Sequence, residues 1–398
     1  MLASGYGTYA YAIAWINVLL IPSVLGMDRL LIRYVSLYNN NQQWDLLRGL
    51  VRRSSQIVLA ASCTLASIFS LTIFLTAKDT IDTTAETLLT STLLLFPFAL
   101  TRVRQAILQG LHKVVTGLVP EMLLQPLLIL AGVATFSLIL DYDLTPTRAI
   151  MINVSSASVA FLIGAILLTR NLPPQMRMIQ PSFDTQEWTK RAAYFVLISG
   201  TVAINSQTDI IMLGLLRTKA EVGIYMVSNR LAGLITFIVY AANNALSPIV
   251  ARLYADNQLR QLQRVLVLSA AGTLAVALPA ALIMTLFGGP LLAIFGQQFV
   301  DGRTSLTILA VAQLFNVMSG SAGVALAMTG HERDAAISIG LGALTNIILN
   351  LVLIPLYGIN GAAAATAISM IFWNALLVRR ARHLMGISTT VFGIWEKP

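Results

Sequence analysis

The chain has 398 residues, of which 57% are hydrophobic and only 11% are charged. Charged residues make up about a quarter of a soluble globular domain, so this composition excludes a soluble protein and predicts a polytopic membrane protein. The net charge of +9 comes without a basic cluster interleaved with aromatic residues. We therefore attribute the charge to loops that set membrane topology, and expect no nucleic-acid partner. Cys63 is the single cysteine, so neither a disulfide nor a thiolate metal site can form.

Apolar runs of about 20 residues, the length that crosses the hydrocarbon core of a bilayer as a helix, occur about eleven times. Several contain proline or glycine, which helices within a bundle tolerate. The predicted membrane-spanning helices are 7–26, 54–77, 87–108, 115–139, 147–169, 190–215, 223–250, 265–287, 304–328, 335–356 and 360–379.

An internal repeat organises these helices. The segments 7–38 and 223–254 have the same length, begin Gly-x-Tyr and end Leu-Tyr. Each is followed by a basic polar loop, further apolar runs and a similar turn, Gly110–Lys113 in one copy and Gly330–Arg333 in the other. The pattern predicts two similar membrane halves. We expect an N-terminal helical bundle at 1–170, a cytoplasmic linker at 171–187, a C-terminal bundle at 188–385 and a cytoplasmic tail at 386–398.

Loop charge predicts the orientation of the chain. Lysine and arginine favour the loops after alternate spans and the C-terminal tail by about sixteen to four, which places those loops and the C-terminus in the cytoplasm. The second half has a helix, at 188–215, before its copy of the opening segment, and nothing before residue 7 corresponds to it. We therefore expect that the first half lacks its first helix here, and that the complete protein has about twelve.

Three parts of the chain resemble a known group of transporters. They are the run from Arg104 to Pro126, the run from Thr329 to Ser369, and a pattern of polar and small residues between them, formed by Asp209, Gly214, Gly223, Tyr225, Arg230, Leu231, Ala232, Asn244 and Pro248. They are similar to the polysaccharide transporters, which include flippases for lipid-linked oligosaccharides and O-antigen, of the multidrug/oligosaccharidyl-lipid/polysaccharide exporter superfamily.

The resemblance implies an all-α fold of two pseudo-symmetric six-helix bundles, arranged as a V around a central cavity that opens alternately to each side. It implies a protein of the bacterial inner membrane that moves a polyprenyl-diphosphate-linked oligosaccharide to the outer face, in the biosynthesis of lipopolysaccharide or another surface glycan. Membrane lipids and other membrane proteins of polysaccharide assembly are the further partners that we expect.

Charged residues inside the predicted helices are candidates for the site. Arg230 lies about 10 Å into its helix at 1.5 Å per residue, too deep for an interfacial residue. Its guanidinium can bind the diphosphate or an acidic sugar, or it can snorkel or pair with Asp209. Asp209, beside Asn205, can bind a proton or a sodium ion for coupled transport; we favour the alternative that it is the structural partner of an arginine.

Further polar residues extend the set of cavity candidates. Glu121 and Gln125 are four residues apart on one helical face, so both should point into the bundle or the cavity. Arg102 and Arg104 precede a cytoplasmic loop, where we favour an interfacial anchor over attraction for an anionic headgroup. Asn244, like Asn243, Asn346, Asn350, Gln313 and Asn316, carries an amide that can bond between helices or contact sugar hydroxyls; we favour bonds between helices.

Catalytic patterns are missing from the sequence. The three histidines fall on separate predicted loops, and no metal-binding, nucleophile or Walker motif occurs. We therefore predict a transporter without a cofactor, driven by an ion gradient or by the substrate's own gradient. A drug/cation antiporter of the same superfamily remains an alternative, with Asp209 or Glu121 as its coupling carboxylate. A membrane glycan polymerase or ligase is disfavoured because the loops are short.

Overall fold

The computed structural model describes residues 1–76, 82–139, 143–177 and 179–394; the side chains of residues 177, 193–205 and 394 are also outside the description. Every regular element in these ranges is a helix. The chain divides into two compact units. Unit 1 comprises Met1 and Thr8–Ala203, and unit 2 comprises Leu2–Gly7 and Ile204–Pro398.

Unit 1 contains most of α1 and the first part of α9, with seven helices between them. Their bounds are α1 Ala3–Val24, α2 Met27–Asn40, α3 Trp44–Thr76, α4 Thr83–Ser91, α5 Leu95–Gly110, α6 Val114–Val119, α7 Gln125–Ala134, α8 Pro146–Asn171 and α9 Thr185–Leu216. Short 3-10 turns lie at Thr92–Leu94 and Pro174–Arg177, and π-helical turns at Pro120–Leu124 and Thr135–Ile139.

Unit 2 contains the remainder of α9 and six further helices. These are α10 Lys219–Ala255, α11 Leu259–Leu286, α12 Gly288–Ala293, α13 Arg303–Met318, α14 Ala322–Met328 and α15 Glu332–Met385, with 3-10 turns at Gln297–Gly302 and Val391–Ile394. The helices α10, α11, α13 and α15 form its packed centre.

Eight helical segments among the described residues are long and apolar enough to cross a membrane, and a pair bent by 43° at residues 319–321 makes a ninth. One of the eight, α15, is 54 residues long. That is about 80 Å at 1.5 Å per residue, more than twice the hydrocarbon thickness, so α15 holds the two spans predicted there. The remaining predicted span lies on α9. The prediction of an all-helical polytopic membrane protein is therefore confirmed.

The helix α5 is the centre of unit 1, where it packs against α2, α3 and α8. Its buried side chains Leu95, Val103 and Ile107 join one hydrophobic cluster with Leu30 of α2 and Leu50 of α3. Because α5 packs against three helices, polar side chains on its buried faces must find partners inside the unit.

A proline shapes the helical segment 114–139, whose first part, α6, packs against α5 and whose later part, α7, packs against α8. Pro126 has no N–H, and in a regular α-helix its ring would clash with the carbonyl four residues earlier. The chain widens to a π-helical turn over Pro120–Leu124, which ends two residues before Pro126, and resumes as α7 at Gln125. Such turns are common where a side chain must be redirected, and this one carries Glu121.

A glycine divides α15 into its two spans. Gly358 has φ 56° and ψ −131°, a conformation that residues with a Cβ rarely adopt. A Cβ at this position would also lie 2.7 Å from Glu221 Oε1 and 3.0 Å from Arg217 Nη2, two residues that form an ion pair near the start of α10. The break therefore requires glycine for its backbone conformation, whereas the ends of the Glu221 and Arg217 side chains could shift to make room.

The boundary between the units differs from the one predicted at 171–187, because it falls within α9, between Ala203 and Ile204. The predicted linker packs on unit 1: the Ser182 N–H donates to the Asp45 carbonyl (3.1 Å), and Arg48 donates to the Ile179 carbonyl (2.6 Å). At the other end, the Ser388 N–H donates to Gln263 Oε1 (3.2 Å), so the predicted tail is part of unit 2 over its described residues. The polar composition of 171–187 and 386–398 correctly indicated segments that lie mostly outside the long helices over their described residues, but it did not indicate which part of the protein they pack on.

Candidate functional site

A buried carboxylate lies at the centre of unit 2. Asp209, on the second part of α9, is only 8% exposed. The Tyr225 hydroxyl, one helix later on α10, donates to its Oδ2 at 2.6 Å, and the Asn350 amide of α15 donates to its Oδ1 at 2.7 Å. The Thr366 hydroxyl, beyond the Gly358 break, also donates to Oδ2. Side chains of α10 and of both spans of α15 thus contact the acid of α9.

A second layer of amides holds these donors in place. Asn350 Nδ2 also donates to Asn346 Oδ1 (3.0 Å), and Asn346 Nδ2 lies 3.4 Å from the hydroxyls of Thr366 and Ser369. Asn346 and Asn350 are one helical turn apart, so both face the same neighbours. Asn350 Oδ1 is buried and has no hydrogen-bond donor within the described ranges. The cluster therefore has an unused acceptor beside its acid.

This arrangement suits a proton or a small hard cation. The hydrogen-bond donors to Asp209 among the described residues are all neutral, so its carboxyl group has hydrogen bonds but no cationic partner there. Carboxylate, amide and hydroxyl oxygens are the ligands that hard cations prefer. Groups of three or more His, Cys, Asp or Glu side chains that could hold a metal ion do not occur in the part of the chain that the structure describes.

The favoured pairing of Asp209 with an arginine is wrong. The ion pairs of the described residues join Arg104 to Glu121, Arg191 to Glu187, Arg217 to Glu221, and Arg380 to Asp334. Asp209 instead uses hydroxyl and amide donors, because Tyr225 and α15 already surround it. The suggested pairing of Arg230 with Asp209 fails for the same reason.

Arg230 lies on an exposed stripe of α10. At about 100° per residue, the positions 230, 234, 237, 241, 244 and 248 all fall within about 40° of one line along the helix. All six are exposed: Arg230, Leu234, Phe237, Ala241, Asn244 and Pro248. Leu234 and Phe237 are 61% and 71% exposed. The stripe combines a cation near one end, an apolar middle and an amide.

In unit 1 the charged candidates pair with each other. Arg104 of α5 is 2% exposed, and its Nη2 donates to Glu121 and, at 3.3 Å, to the Gly117 carbonyl. Gln105 Nε2 donates to the other Glu121 oxygen at 3.1 Å. Arg104 is therefore buried in the bundle and is not the interfacial anchor that we favoured. Arg102, on the opposite side of α5, is exposed.

A polar chain joins three helices of unit 1. Gln125 Nε2 donates to Asn153 Oδ1 (3.1 Å), and Asn153 Nδ2 donates to the Tyr9 hydroxyl (2.9 Å). Gln125 thus points into the bundle, as its spacing from Glu121 indicated. The Asn205 side chain lies outside the described residues.

Several residues of these networks were missed as site residues. They are Tyr225, Thr366, Tyr9 and Asn153. The sequence held a signal for the two tyrosines, because Tyr9 and Tyr225 occupy the same place in the repeated Gly-x-Tyr. The amides predicted to bond between helices do so for Asn346 and Asn350, whereas Asn244 is exposed.

Two family models match the chain. A model described as polysaccharide biosynthesis protein matches residues 1–254, and a model described as MatE matches residues 201–352. A probable flippase of Haloferax volcanii, AglR, is 33% identical over 183 residues, which are 44% of this chain and 37% of that protein. The matched segment therefore covers less than half of the length of that relative.

Two solved structures have the same fold. An inward-facing multidrug resistance MATE transporter of the MOP superfamily has a TM-score of 0.74 at 14% identity, over 96% of this chain and 92% of that one. The lipid II flippase MurJ, in an inward closed conformation, has a TM-score of 0.70 at 17% identity, over 95% and 82%. Because a multidrug transporter and a lipid flippase match about equally well, the fold does not choose between them. The polysaccharide biosynthesis model covers more than half of the residues, so the chain belongs to the polysaccharide biosynthesis protein family.

Proposed function

We propose that this protein is a flippase that moves a lipid-linked oligosaccharide, a precursor of a surface polysaccharide, across a membrane by alternating access. The family supports the glycan, and the resemblance to a probable flippase supports the type of transport. The single observation that carries the proposal for this chain is the exposed stripe of α10, which presents Arg230 beside an apolar surface.

The stripe matches the chemistry of such a substrate. A charged residue within a membrane helix is costly, so an exposed arginine without an ion-pair partner among the described residues needs a compensating anion. The diphosphate of the lipid carrier supplies one, and a guanidinium offers it a planar set of donors. Leu234 and Phe237 offer apolar contact to the polyprenyl chain, and Asn244 can bond to sugar hydroxyls.

Asp209 would couple this transport to an ion gradient. Its carboxylate is shielded by Tyr225, Thr366 and Asn350, all neutral, and binding of a proton or a sodium ion would neutralise it. A buried charge that is neutralised on one side of the membrane and restored on the other is a simple way to drive a conformational cycle.

The location and partners follow from the same proposal. We place the protein in the inner membrane of a bacterium, with its C-terminus in the cytoplasm, because the basic loops lie on that side in the predicted topology. O-antigen and other repeat units of lipopolysaccharide are suitable cargoes, and the enzymes that assemble and polymerise them are suitable partners.

Variants of Arg230 test the role of the stripe. Arg230→Gln should reduce flipping of a fluorescent lipid-linked oligosaccharide in proteoliposomes at least tenfold, because the diphosphate loses a charged hydrogen-bond partner of about 1.5–3 kcal/mol. Arg230→Lys should be intermediate, since it keeps the charge but not the planar fork. The control is Arg303→Gln, another exposed arginine of unit 2, which should flip normally. Normal flipping by Arg230→Gln would refute the role.

Cells that lack the gene test the function itself. We expect one lipid-linked repeat unit to accumulate on the inner leaflet, and to disappear when the chain is restored. If such cells instead keep normal lipid-linked glycans, the flippase proposal fails.

A drug/cation antiporter is the second candidate. The MatE model matches the region that contains Asp209, Asn346 and Asn350, so an ion-coupled exporter has a specific observation in its favour. It predicts that loss of the gene raises sensitivity to cationic drugs and leaves lipid-linked glycans unchanged. The flippase predicts the reverse.

A further inference from the structure

The last nine residues of α5 expose one line of polar side chains. From Arg102 to Gly110, the residues that are not buried are Arg102, Gln105 and Gln109. Arg102 is exposed and the two glutamines are half-buried, so no apolar side chain is exposed along this part of the helix. At about 100° per residue, the three positions fall within about 60° of one another around the axis. These three residues are called the α5 line below.

The α5 line lies inside a membrane span. The segment Thr83–Gly110 is long and apolar enough to cross a bilayer, and Gly110 ends it on the cytoplasmic side in the topology predicted from loop charge. Arg102 lies about 12 Å, or more than two turns, before that end. An arginine that only anchors a helix lies in its last turn, where it reaches the headgroups. The position of Arg102 therefore requires another partner.

The side chains of the α5 line have hydrogen-bonding capacity to offer a ligand. Arg102 and Gln109 have no ion-pair or hydrogen-bond partner among the described residues. Gln105 donates to Glu121 at 3.1 Å and keeps its Oε1 as an acceptor. A guanidinium and two amides that faced acyl chains would be costly, so the line faces water. A ligand that approaches from the aqueous phase can therefore reach it.

The α5 line differs from the exposed stripe of α10 in the side chains that accompany the cation. On the stripe, Arg230 is followed by Leu234 and Phe237, which are strongly exposed and apolar. On the line, Arg102 is followed by two amides. A lipid-linked oligosaccharide has the same two kinds of surface, because its diphosphate adjoins the polyprenyl chain and its sugars carry hydroxyls. The stripe therefore fits the lipid end of the substrate, and the line fits the saccharide end.

We propose that the α5 line recognises an acidic saccharide, with Arg102 on an anionic substituent of a sugar and the two glutamines on neighbouring hydroxyls. A guanidinium binds a carboxylate or a phosphate through two parallel hydrogen bonds, whereas a neutral sugar leaves its charge without a partner. An amide both donates and accepts, which matches a hydroxyl. This inference rests on the proposed flippase function and adds the charge class of the glycan that is transported.

Competition between matched cargoes tests the charge class. Two fluorescent lipid-linked trisaccharides, which differ only in a glucuronic acid or a glucose at one position, are flipped together in proteoliposomes of the full chain. The native chain should prefer the acidic cargo about tenfold, the effect of about one charge-assisted pair of hydrogen bonds. A third cargo with glucose 6-phosphate at that position shows whether the acid is a carboxylate or a phosphate, since the preferred cargo identifies it. The ratio of rates does not depend on how much of the protein is active.

Variants attribute the preference to one residue. Arg102→Gln should remove it, because the acid loses its cation, and Arg102→Glu should reverse it. Arg230→Gln should slow both cargoes and keep the preference, because both carry the same diphosphate. The matched control is Arg170→Gln, which removes an exposed arginine from the last turn of α8. It should keep both the rates and the preference.

The outcomes separate this inference from the function on which it rests. If the native chain flips none of the cargoes, the flippase proposal fails. If it flips acidic and neutral cargoes at equal rates, the flippase stands and the acidic class is wrong. Equal slowing of the two cargoes by Arg102→Gln would place the diphosphate at Arg102 instead of a sugar acid. A preference that persists in Arg102→Gln and Arg102→Glu would place recognition of the acid elsewhere.

Discussion

The two units differ in the partners that they provide for buried polar side chains. In unit 1 the acid Glu121 is neutralised by Arg104, and the Tyr9 hydroxyl bonds to the amide of Asn153. In unit 2 the corresponding tyrosine, Tyr225, bonds to the carboxylate of Asp209, which has only neutral donors among the described residues. Unit 1 therefore pairs its buried acid with an arginine, whereas the buried acid of unit 2 has no ion-pair partner among the described residues; the proposed ion coupling at Asp209 depends on this difference.

The largest effect on stability should come from breaking the ion pair of unit 1. Glu121→Gln leaves the Arg104 guanidinium buried without a carboxylate, which should destabilise the protein by about 3–5 kcal/mol. Arg104→Gln in the Glu121→Gln background should restore most of the loss. Thermal unfolding in detergent measures both. If the single variant is as stable as the native protein, the pair is not needed to neutralise unit 1.

A smaller loss is expected at the break in α15, which positions Thr366 relative to Asn350. Gly358→Ala should cost about 1–3 kcal/mol, because its backbone conformation is unfavourable for residues with a Cβ and because that Cβ would approach Glu221. Gly340→Ala, in the same helix with open space around it, is the control and should be neutral. Equal stability of the two variants would show that the break tolerates a side chain.

The two tyrosines sharpen the comparison further. Tyr225→Phe removes a hydrogen bond to a carboxylate, worth about 1.5–3 kcal/mol, whereas Tyr9→Phe removes one to an amide, worth about 0.5–1.5 kcal/mol. We therefore expect Tyr225→Phe to lower the unfolding temperature more. The reverse order would contradict the greater strength that we assign to the Tyr225–Asp209 hydrogen bond.

Much of this architecture could be predicted from the sequence, because apolar runs of membrane length and their repetition are local patterns. The unit boundary could not, because the polar stretch at 171–187 reads as a linker while its contacts with Asp45 and Arg48 depend on the fold. The partners of Asp209 were hidden for a similar reason. Asn350 and Thr366 are 141 and 157 residues away in the sequence, and nothing local indicates that they meet.

The repeated Gly-x-Tyr at 7–9 and 223–225 indicated two site residues that we did not select from the sequence. Tyr9 and Tyr225 occupy matching positions, and each forms a hydrogen bond to a polar side chain of another helix in its unit. The charged residues gave less, since composition shows that Asp209 and Arg230 are costly in a membrane but not which residues they contact. An acid and an arginine on consecutive helices suggested a pair, and the structure shows no ion pair between them.

The central claim is that the ion acts in unit 2, and the most direct measurement is the gradient dependence of flipping. Proteoliposomes with a lipid-linked oligosaccharide would be assayed with and without a proton gradient and a sodium gradient, for the native chain, Asp209→Asn and the Arg104→Gln/Glu121→Gln double variant. We predict that one gradient accelerates flipping by the native chain and by the double variant, and that Asp209→Asn has lost this dependence. An unchanged dependence in Asp209→Asn, or its loss in the double variant alone, would contradict the account.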